Sequence, residues 1–419
     1  MPPTARVLIG LLVGLGLGIL AAAARMTQLL TFVDLFRPLG TLWVNAILMT
    51  VVPLVVASLV VSLASVADSR VVGTLGWRAI TVLSTLLFAG GMASALLTPA
   101  IVKWLPNDVG TVTALRAAMG AGPSAALPVP ASLAQWVGSL MPSNVVRAAA
   151  DGAMLPLVVF SLVFALALAR VDAEPRRLAL GFFEAVGQAM LVVLGWVIRA
   201  APIGVFALAL SLGSQVGVTA AGVIATYVML SVALCLGTTA ALYAVAVIGG
   251  GIPLRRFAQA AAPSQAVGAS TRSSLAALPA MLQAAESELG LPPMVGGVFL
   301  PFAVATFKFT SPVAYIGAAC FLAHALGVEL GTLRLVSLIP LAVAMSLGVP
   351  GVPGGWFTAT PVFVAAGLPP ESIGILIAVD TIPDIFRTLG NVTADLAAAT
   401  VVARLVPRPT QPLPLGAPY

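Results

Sequence analysis

Between Ala378 and Arg404 the chain reads AVDTIPDIFRTLGNVTADLAAATVVAR, where Asp380, Asp384, Arg387, Asn391 and Asp395 recur at intervals of 4, 3, 4 and 4. At about 100° per residue these side chains fall within an arc of roughly 80° on one helix. Their chemistry is that of charged-ligand recognition. Carboxylates accept from an ammonium or face a cation, a guanidinium offers a planar fork to a carboxylate, and an amide both donates and accepts. Catalysis fits poorly. Asp380 and Asp384 sit four apart on one element, whereas a carboxylate dyad brings its two groups together across a site. With His324 as the single histidine, neither a His/Cys metal cluster nor a Ser-His-Asp triad can be assembled.

The surroundings of that stripe are apolar. Of 419 residues 60% are hydrophobic and 8% charged, and the mean hydropathy is +1.10, a balance no soluble domain has. An ionisable group at mid-bilayer costs about 2.5–3.5 kcal/mol on insertion scales and normally faces a partner, a substrate or an ion path. The net charge of +6 comes from dispersed loop residues, which speaks for membrane topology rather than a nucleic-acid partner. Cys235 and Cys320 lie in apolar runs and read as two buried thiols.

A window of about 20 residues places spans near 7–24, 40–66, 79–104, 153–169, 178–212, 217–248, 293–325 and 370–404. These are eight crossings of an all-α polytopic membrane protein. With a cytoplasmic N-terminus, the inside loops carry Arg70, Arg78, Arg170, Arg176, Arg177, Arg255 and Arg256, so both termini are expected on the positive, cytoplasmic side of the inner membrane. The Gly/Pro/Ala/Ser-rich stretch from Pro106 to Ser143 reads as a long external loop.

Two more apolar segments are broken at their middles: Leu254 to Glu288 at GASTRSSLAALP, and Leu333 to Pro369 at GVPGVPGG. Each reads either as a re-entrant helical hairpin or as a Gly/Pro-kinked helix. Irregular backbone at membrane depth survives only beside protein or a water-filled cavity, and paired interrupted segments point to a transport site between inverted repeats.

These residues carry a resemblance. The stretches VVPLVVASLVVSLAS (Val51 to Ser65), MPSNVVRAAADGAMLPLVVF (Met141 to Phe160), APIGVFAL (Ala201 to Leu208), STRSSLAALP (Ser270 to Pro279) and D-x-x-x-D-x-x-R-T-x-x-N-V-T-x-D (Asp380 to Asp395) resemble the dicarboxylate/amino acid:cation symporter family over essentially the whole chain. The resemblance implies a homotrimer with eight helices, two re-entrant hairpins and an elevator mechanism. Residues 1–78 and 105–212 would form a static scaffold. Residues 79–104, 213–252, 253–290 (first hairpin), 291–328 (seventh helix), 329–369 (second hairpin) and 370–405 (eighth helix) would form a mobile transport domain, with 406–419 as a cytoplasmic tail. No organic cofactor is implied.

By the same resemblance, Arg387 holds a substrate side-chain carboxylate, Asp384 its ammonium and Asn391 its main-chain carboxylate, with Thr388 assisting. Arg272 reaches toward the last-helix aspartate, and the hairpin tips close the site through Ser273, Ser274 and Gly354. A plainer role for Arg387 is to neutralise Asp380 and Asp384. Retention of Asp384 favours glutamate or aspartate over a C4-dicarboxylate, which is the alternative substrate. An anion channel or a ligand sensor on the same fold is a further alternative.

The main departure lies in the seventh span. Where the family has Gly-Ala-Thr-x-Asn-Met-Asp-Gly-Thr, this chain has Val304 to Pro312, VATFKFTSP. Thr306 is kept, but Lys308 stands for the Asn and Thr310 for the Asp that help to ligate sodium, and Pro312 for the Thr that would touch substrate. An ammonium repels a sodium ion. Lys308 therefore either acts toward Asp395 or Asp380 as a tethered substitute for a cation, or snorkels to an aqueous face. Residual sodium would be left with Asn391 and Asp395, and the coupling ion, proton or sodium, stays open.

Overall fold

The computed structural model describes residues 3–24, 27–68, 76–105, 138, 141–151, 153–217, 219–347, 355–369 and 372–405. The first part runs α1 (Pro3–Ala24), α2 (Thr27–Asp68), α3 (Gly76–Val102), α4 (Val145–Ala150), α5 (Met154–Leu168), α6 (Ala173–Arg199), α7 (Ala201–Val216) and α8 (Thr219–Ala244). Then follow α9 (Leu254–Thr271), α10 (Ser274–Gln283), α11 (Leu300–Thr306), α12 (Thr310–Ala325), α13 (Thr332–Ser346), α14 (Thr360–Ala365), α15 (Ser372–Val379) and α16 (Thr381–Leu405). No strand occurs among the described residues.

Five helical stretches are long and apolar enough to cross a bilayer: Thr31–Val61, Trp77–Val102, Ala173–Val197, Thr219–Gly249 and Val295–Ala325. Four shorter ones, Ile9–Ala24, Pro156–Leu168, Ala201–Val216 and Thr332–Ser346, are also apolar. Three expected spans are divided, the run 293–325 among them, between α11 and α12. The run 178–212 breaks at Ala200 between α6 and α7, just before Pro202, which has no N–H to continue the ladder. The run 370–404 breaks at Asp380 between α15 and α16. Pro383 explains it, since it cannot donate to the carbonyl four residues back; Asp384 N instead closes a turn onto Asp380 O at 2.8 Å. So four residues of the polar stripe ride on α16, and Asp380 stands just ahead of it.

The helices pack in two sets. In one, α1 lies along α7, and α2 packs on α5, α6 and α7. In the other, α16 is the hub, touching α3, α8, α9, α10, α11 and α12, while α3 packs on α12 and α13. The sets meet where α15 rests on α1 and α7, where α13 and α14 rest on α5, where α8 touches α7, and where the 355–359 turn touches α2.

Both interrupted segments are helical hairpins, not kinked spans. α9 packs on α10 across a two-residue tip, and Arg256 Nε donates to Glu288 O at 2.8 Å, joining the open end. In the second, α13 packs on α14 and Arg334 Nη1 donates to Ala366 O at 3.3 Å. The tip 348–354, including Gly354, lies outside the described residues.

The first set is held by backbone proximity. Gly10, Gly14 and Gly18 stripe one face of α1, and a Cβ on Gly14 would lie 2.4 Å from Phe206 O on α7. Membrane helices associate through such small-residue contacts because lipid offers no hydrophobic drive. A Cβ on neighbouring Gly16 meets nothing within 4 Å. We expect Gly14→Ala to destabilise the detergent-purified protein by about 1–3 kcal/mol through overpacking, with Gly16→Ala neutral or slightly stabilising. Equal melting temperatures for the two variants would refute this packing.

Candidate functional site

Local backbone explains how the site is assembled. At the first hairpin tip Arg272 takes a left-handed conformation, φ 53°, as the only positive-φ residue other than glycine among the described residues. Ser273 follows in extended conformation, and its side chain caps α10 by accepting from Ala276 N at 3.3 Å. Left-handed backbone costs a non-glycine residue roughly 1–2 kcal/mol. In return the tip turns Arg272 toward α16, where Nη1 stands 3.9 Å from Asp384 Oδ2.

Arg387 is the centre of the cluster. Its Nη2 donates to Asp380 Oδ2 at 2.7 Å and to Asp384 Oδ1 at 2.8 Å. Its guanidinium carbon lies 5.0 Å from the ring centroid of Trp356, a cation–π geometry. Trp356 is fully buried in the second hairpin and donates Nε1 to Asp380 Oδ1. Trp356 also packs on Tyr315 of α12, whose hydroxyl pairs with Thr358 at 2.6 Å. Arg387 thus does neutralise two carboxylates, but through one nitrogen only. Its Nε and Nη1 have no hydrogen-bond partner among the described residues.

Asn391 faces α12. Its Oδ1 accepts from Thr310 N at 2.9 Å and Thr310 Oγ1 at 3.0 Å. Because a main-chain N–H can only donate, this contact fixes the amide orientation and turns Nδ2 away as a donor with no described partner. Thr310 Oγ1 also lies 3.1 Å from Arg387 O. Thr310 therefore pins α12 to α16 where the expected carboxylate is missing. A Cβ on Gly390 would sit 2.6 Å from Thr310 Cγ2, so this approach requires glycine. Thr388 is buried, with its methyl toward Gly268 of α9.

The seventh span unwinds between α11 and α12, with Phe307 extended at φ −113° and ψ 124°. Lys308 lies in this break and is buried. Its Nζ donates to Ser274 Oγ at 2.8 Å and to Val304 O. It pairs with neither Asp380 nor Asp395 within 4.0 Å, and it does not snorkel. Asp395 is buried nearby, within electrostatic reach of Lys308, and its Oδ2 has no hydrogen-bond partner. Thr306, half-buried at the end of α11, makes no side-chain hydrogen bond among the described residues.

Sequence reasoning missed Trp356. Its signal was the polar N–H of an indole directly after a Gly/Pro break, a group that needs a partner when buried. It also missed the brace between hairpin and last helix, in which Gln265 Nε2 donates to Thr393 Oγ1 at 2.8 Å and to Tyr243 OH at 2.9 Å.

Comparison of the sequence with known proteins gives the family. A profile of the sodium:dicarboxylate symporter family matches residues 4–405. The chain belongs to that family. It is 27% identical to the proton/glutamate-aspartate symporter of Escherichia coli over 395 residues, covering 89% of this chain and 85% of that protein. It is 27% identical to the proton/sodium-glutamate symport protein of Bacillus subtilis over 390 residues, covering 88% and 85%. It is 28% identical to the C4-dicarboxylate transport protein of Deinococcus radiodurans over 391 residues, covering 89% and 84%. The family is one of membrane transporters, not enzymes.

Trp356→Phe keeps the ring under Arg387 but removes the donor to Asp380. We expect a loss of about 1–3 kcal/mol, the cost of an unsatisfied buried acceptor. In Asp380→Asn the same substitution should do less, giving a coupling energy in a double-mutant cycle read by thermal unfolding in detergent. Strict additivity would mean that the indole acts on packing alone.

Proposed function

We propose that this family member is a secondary active symporter for an acidic amino acid, glutamate or aspartate, across the bacterial inner membrane. The observation that carries the reading is the set of groups left without a hydrogen bond on one face of α16: Nε and Nη1 of Arg387, Nδ2 of Asn391, and Oδ2 of Asp384, which has only the Arg272 guanidinium 3.9 Å away. The first offers cationic donors to a carboxylate, the second a donor to another, and the third an acceptor for an ammonium. An acidic α-amino acid has these three groups and no others.

Arg272, Ser273, Ser274 and Thr388 line the approach in this reading, and Gly354 closes it from the second hairpin. Thr306, Lys308, Thr310, Asp380, Asn391 and Asp395 form the coupling side. The set of helices built on α16 carries the ligand past the set built on α1, α2 and α7, an elevator displacement of residues 79–104 and 213–405 against 1–78 and 105–212. The packing of the helices into two sets supports it. Eight crossings, cytoplasmic termini and a homotrimer complete the proposal. The relative named for C4-dicarboxylates gives the second reading, in which Asp384 has no ammonium to receive.

Two substitutions separate these readings in reconstituted vesicles. Arg387→Cys should abolish uptake of glutamate and aspartate, because a charge-assisted partner worth on the order of 3–5 kcal/mol is lost. Arg387→Lys keeps the charge that Asp380 and Asp384 need, yet should also lose affinity because a single ammonium cannot hold both aspartates and still extend the Nε and Nη1 donors to a ligand. Unchanged affinity in either folded variant rules out the role. Asp384→Asn should weaken amino-acid binding while sparing or improving succinate and malate; equal loss for both ligand classes assigns Asp384 a structural task.

A further inference from the structure

The charges around α16 balance without help. Asp380, Asp384, Arg387, Lys308 and Asp395 are buried and Arg272 is half-buried. Three cations therefore face three anions. Asp380 and Asp384 are served by Arg387 and Arg272. Asp395 has only Lys308 within electrostatic reach, and with the proton on either partner that pair has no net charge. Buried charge left uncompensated is strongly destabilising, so a bundle of this kind must be neutral or recruit ions.

The environment of Nζ is that of a bound cation. Two hard oxygens receive it, the Ser274 hydroxyl at 2.8 Å and the Val304 carbonyl, and the Asp395 carboxylate lies beyond them, more than 4.0 Å away. Val304 is in the last turn of α11, whose terminal carbonyls have no helical donor and carry the negative end of the helix dipole. Hard monovalent and divalent ions take such donor sets. Here the chain's own ammonium has taken it.

We propose that Lys308 is a tethered counter-cation that holds the place of a soluble monovalent ion, so that ligand binds without sodium. The ammonium also ties the start of α10 to the break before α12, which in a protein with a diffusible ion would happen only when that ion bound. The inference rests on the proposed substrate only for its affinity readout.

The test uses the detergent-purified full chain at fixed alkaline pH and ionic strength, with sodium chloride exchanged for choline chloride. The native protein should show the same melting temperature and the same aspartate affinity in both salts. Lys308→Ala leaves Asp395 unbalanced and opens room beside it. It should gain a sodium-dependent rise in melting temperature, and a sodium-dependent gain in affinity of tenfold or more, about 1.4 kcal/mol. Lys308→Ala with Asp395→Asn restores neutrality and should lose that dependence again. Lys308→Gln, which keeps the side-chain bulk, stands in if Lys308→Ala does not fold. A native protein stabilised tenfold in affinity by sodium, or a folded Lys308 variant indifferent to it, overturns the proposal. If no acidic amino acid binds any form, the substrate reading fails while the melting temperatures still decide the role of Lys308.

Discussion

A carboxylate moved from water to a low-dielectric interior loses hydration worth on the order of 20 kcal/mol by the idealised estimate, and several kcal/mol after relaxation. Asp380, Asp384 and Asp395 are all buried. Their tolerance rests on Arg387, which meets two of them with one nitrogen. That economy matters. A guanidinium with five donors spends only the two N–H groups of Nη2 on neutralisation, so the same residue holds the charge cluster together and still has donors on Nε and Nη1. The structural and the recognition roles of Arg387 are therefore not alternatives. They use different atoms of one side chain.

Holding those atoms in place requires breaks in helices rather than helices alone. Pro383 ends α15 and frees Asp380 to point at Arg387 and Trp356. The unwound Phe307–Phe309 segment lets Lys308 fold back on the carbonyl of Val304. At the tip of the first hairpin the left-handed Arg272 turns toward Asp384. At the break before α12 the freed Thr310 N is met by Asn391 Oδ1 of α16 and Val304 O by Lys308, while at the hairpin tip Ser273 caps Ala276 N. The breaks and the charges are thus mutually dependent: the charges need the irregular backbone to converge, and the irregular backbone needs polar partners.

Much of this was legible in the sequence. The 4, 3, 4, 4 spacing located the stripe, and the Gly/Pro interruptions located both hairpins, because helical period and helix-breaking residues are local properties. What stayed hidden depends on pairings across the fold. Trp356 sits 31 residues from Arg387 in sequence, and in an apolar chain an indole looks like membrane filler until its N–H is seen on Asp380. Thr310 read as a lost ligand, yet it bridges Asn391 and the carbonyl of Arg387. The sequence offers Lys308 either an aspartate or an aqueous face; in the folded chain a hydroxyl and a carbonyl receive it instead. The single helix drawn through the stripe was also too simple, since Pro383 lies where the sequence pattern is otherwise continuous.

The two hairpins share one device. Arg256 donates to Glu288 O and Arg334 to Ala366 O, so in each an arginine near the start of the first arm grips a main-chain carbonyl at the end of the second. Carbonyls at a helix C-terminus have no internal donor, and a guanidinium satisfies them with charge of the favourable sign for the dipole. Pinning the open end fixes the register of the two arms, and with it the position of the tip. In the first hairpin that fixed tip is where the strained Arg272 meets Asp384 of α16 and Ser274 meets Lys308 in the break after α11. Strain of roughly 1–2 kcal/mol at such a point persists only where the surroundings over-determine it. Here the base clamp, the α10 cap and the pull of Asp384 supply three independent constraints, which places the least relaxed backbone of the hairpin beside the groups proposed to receive the ligand.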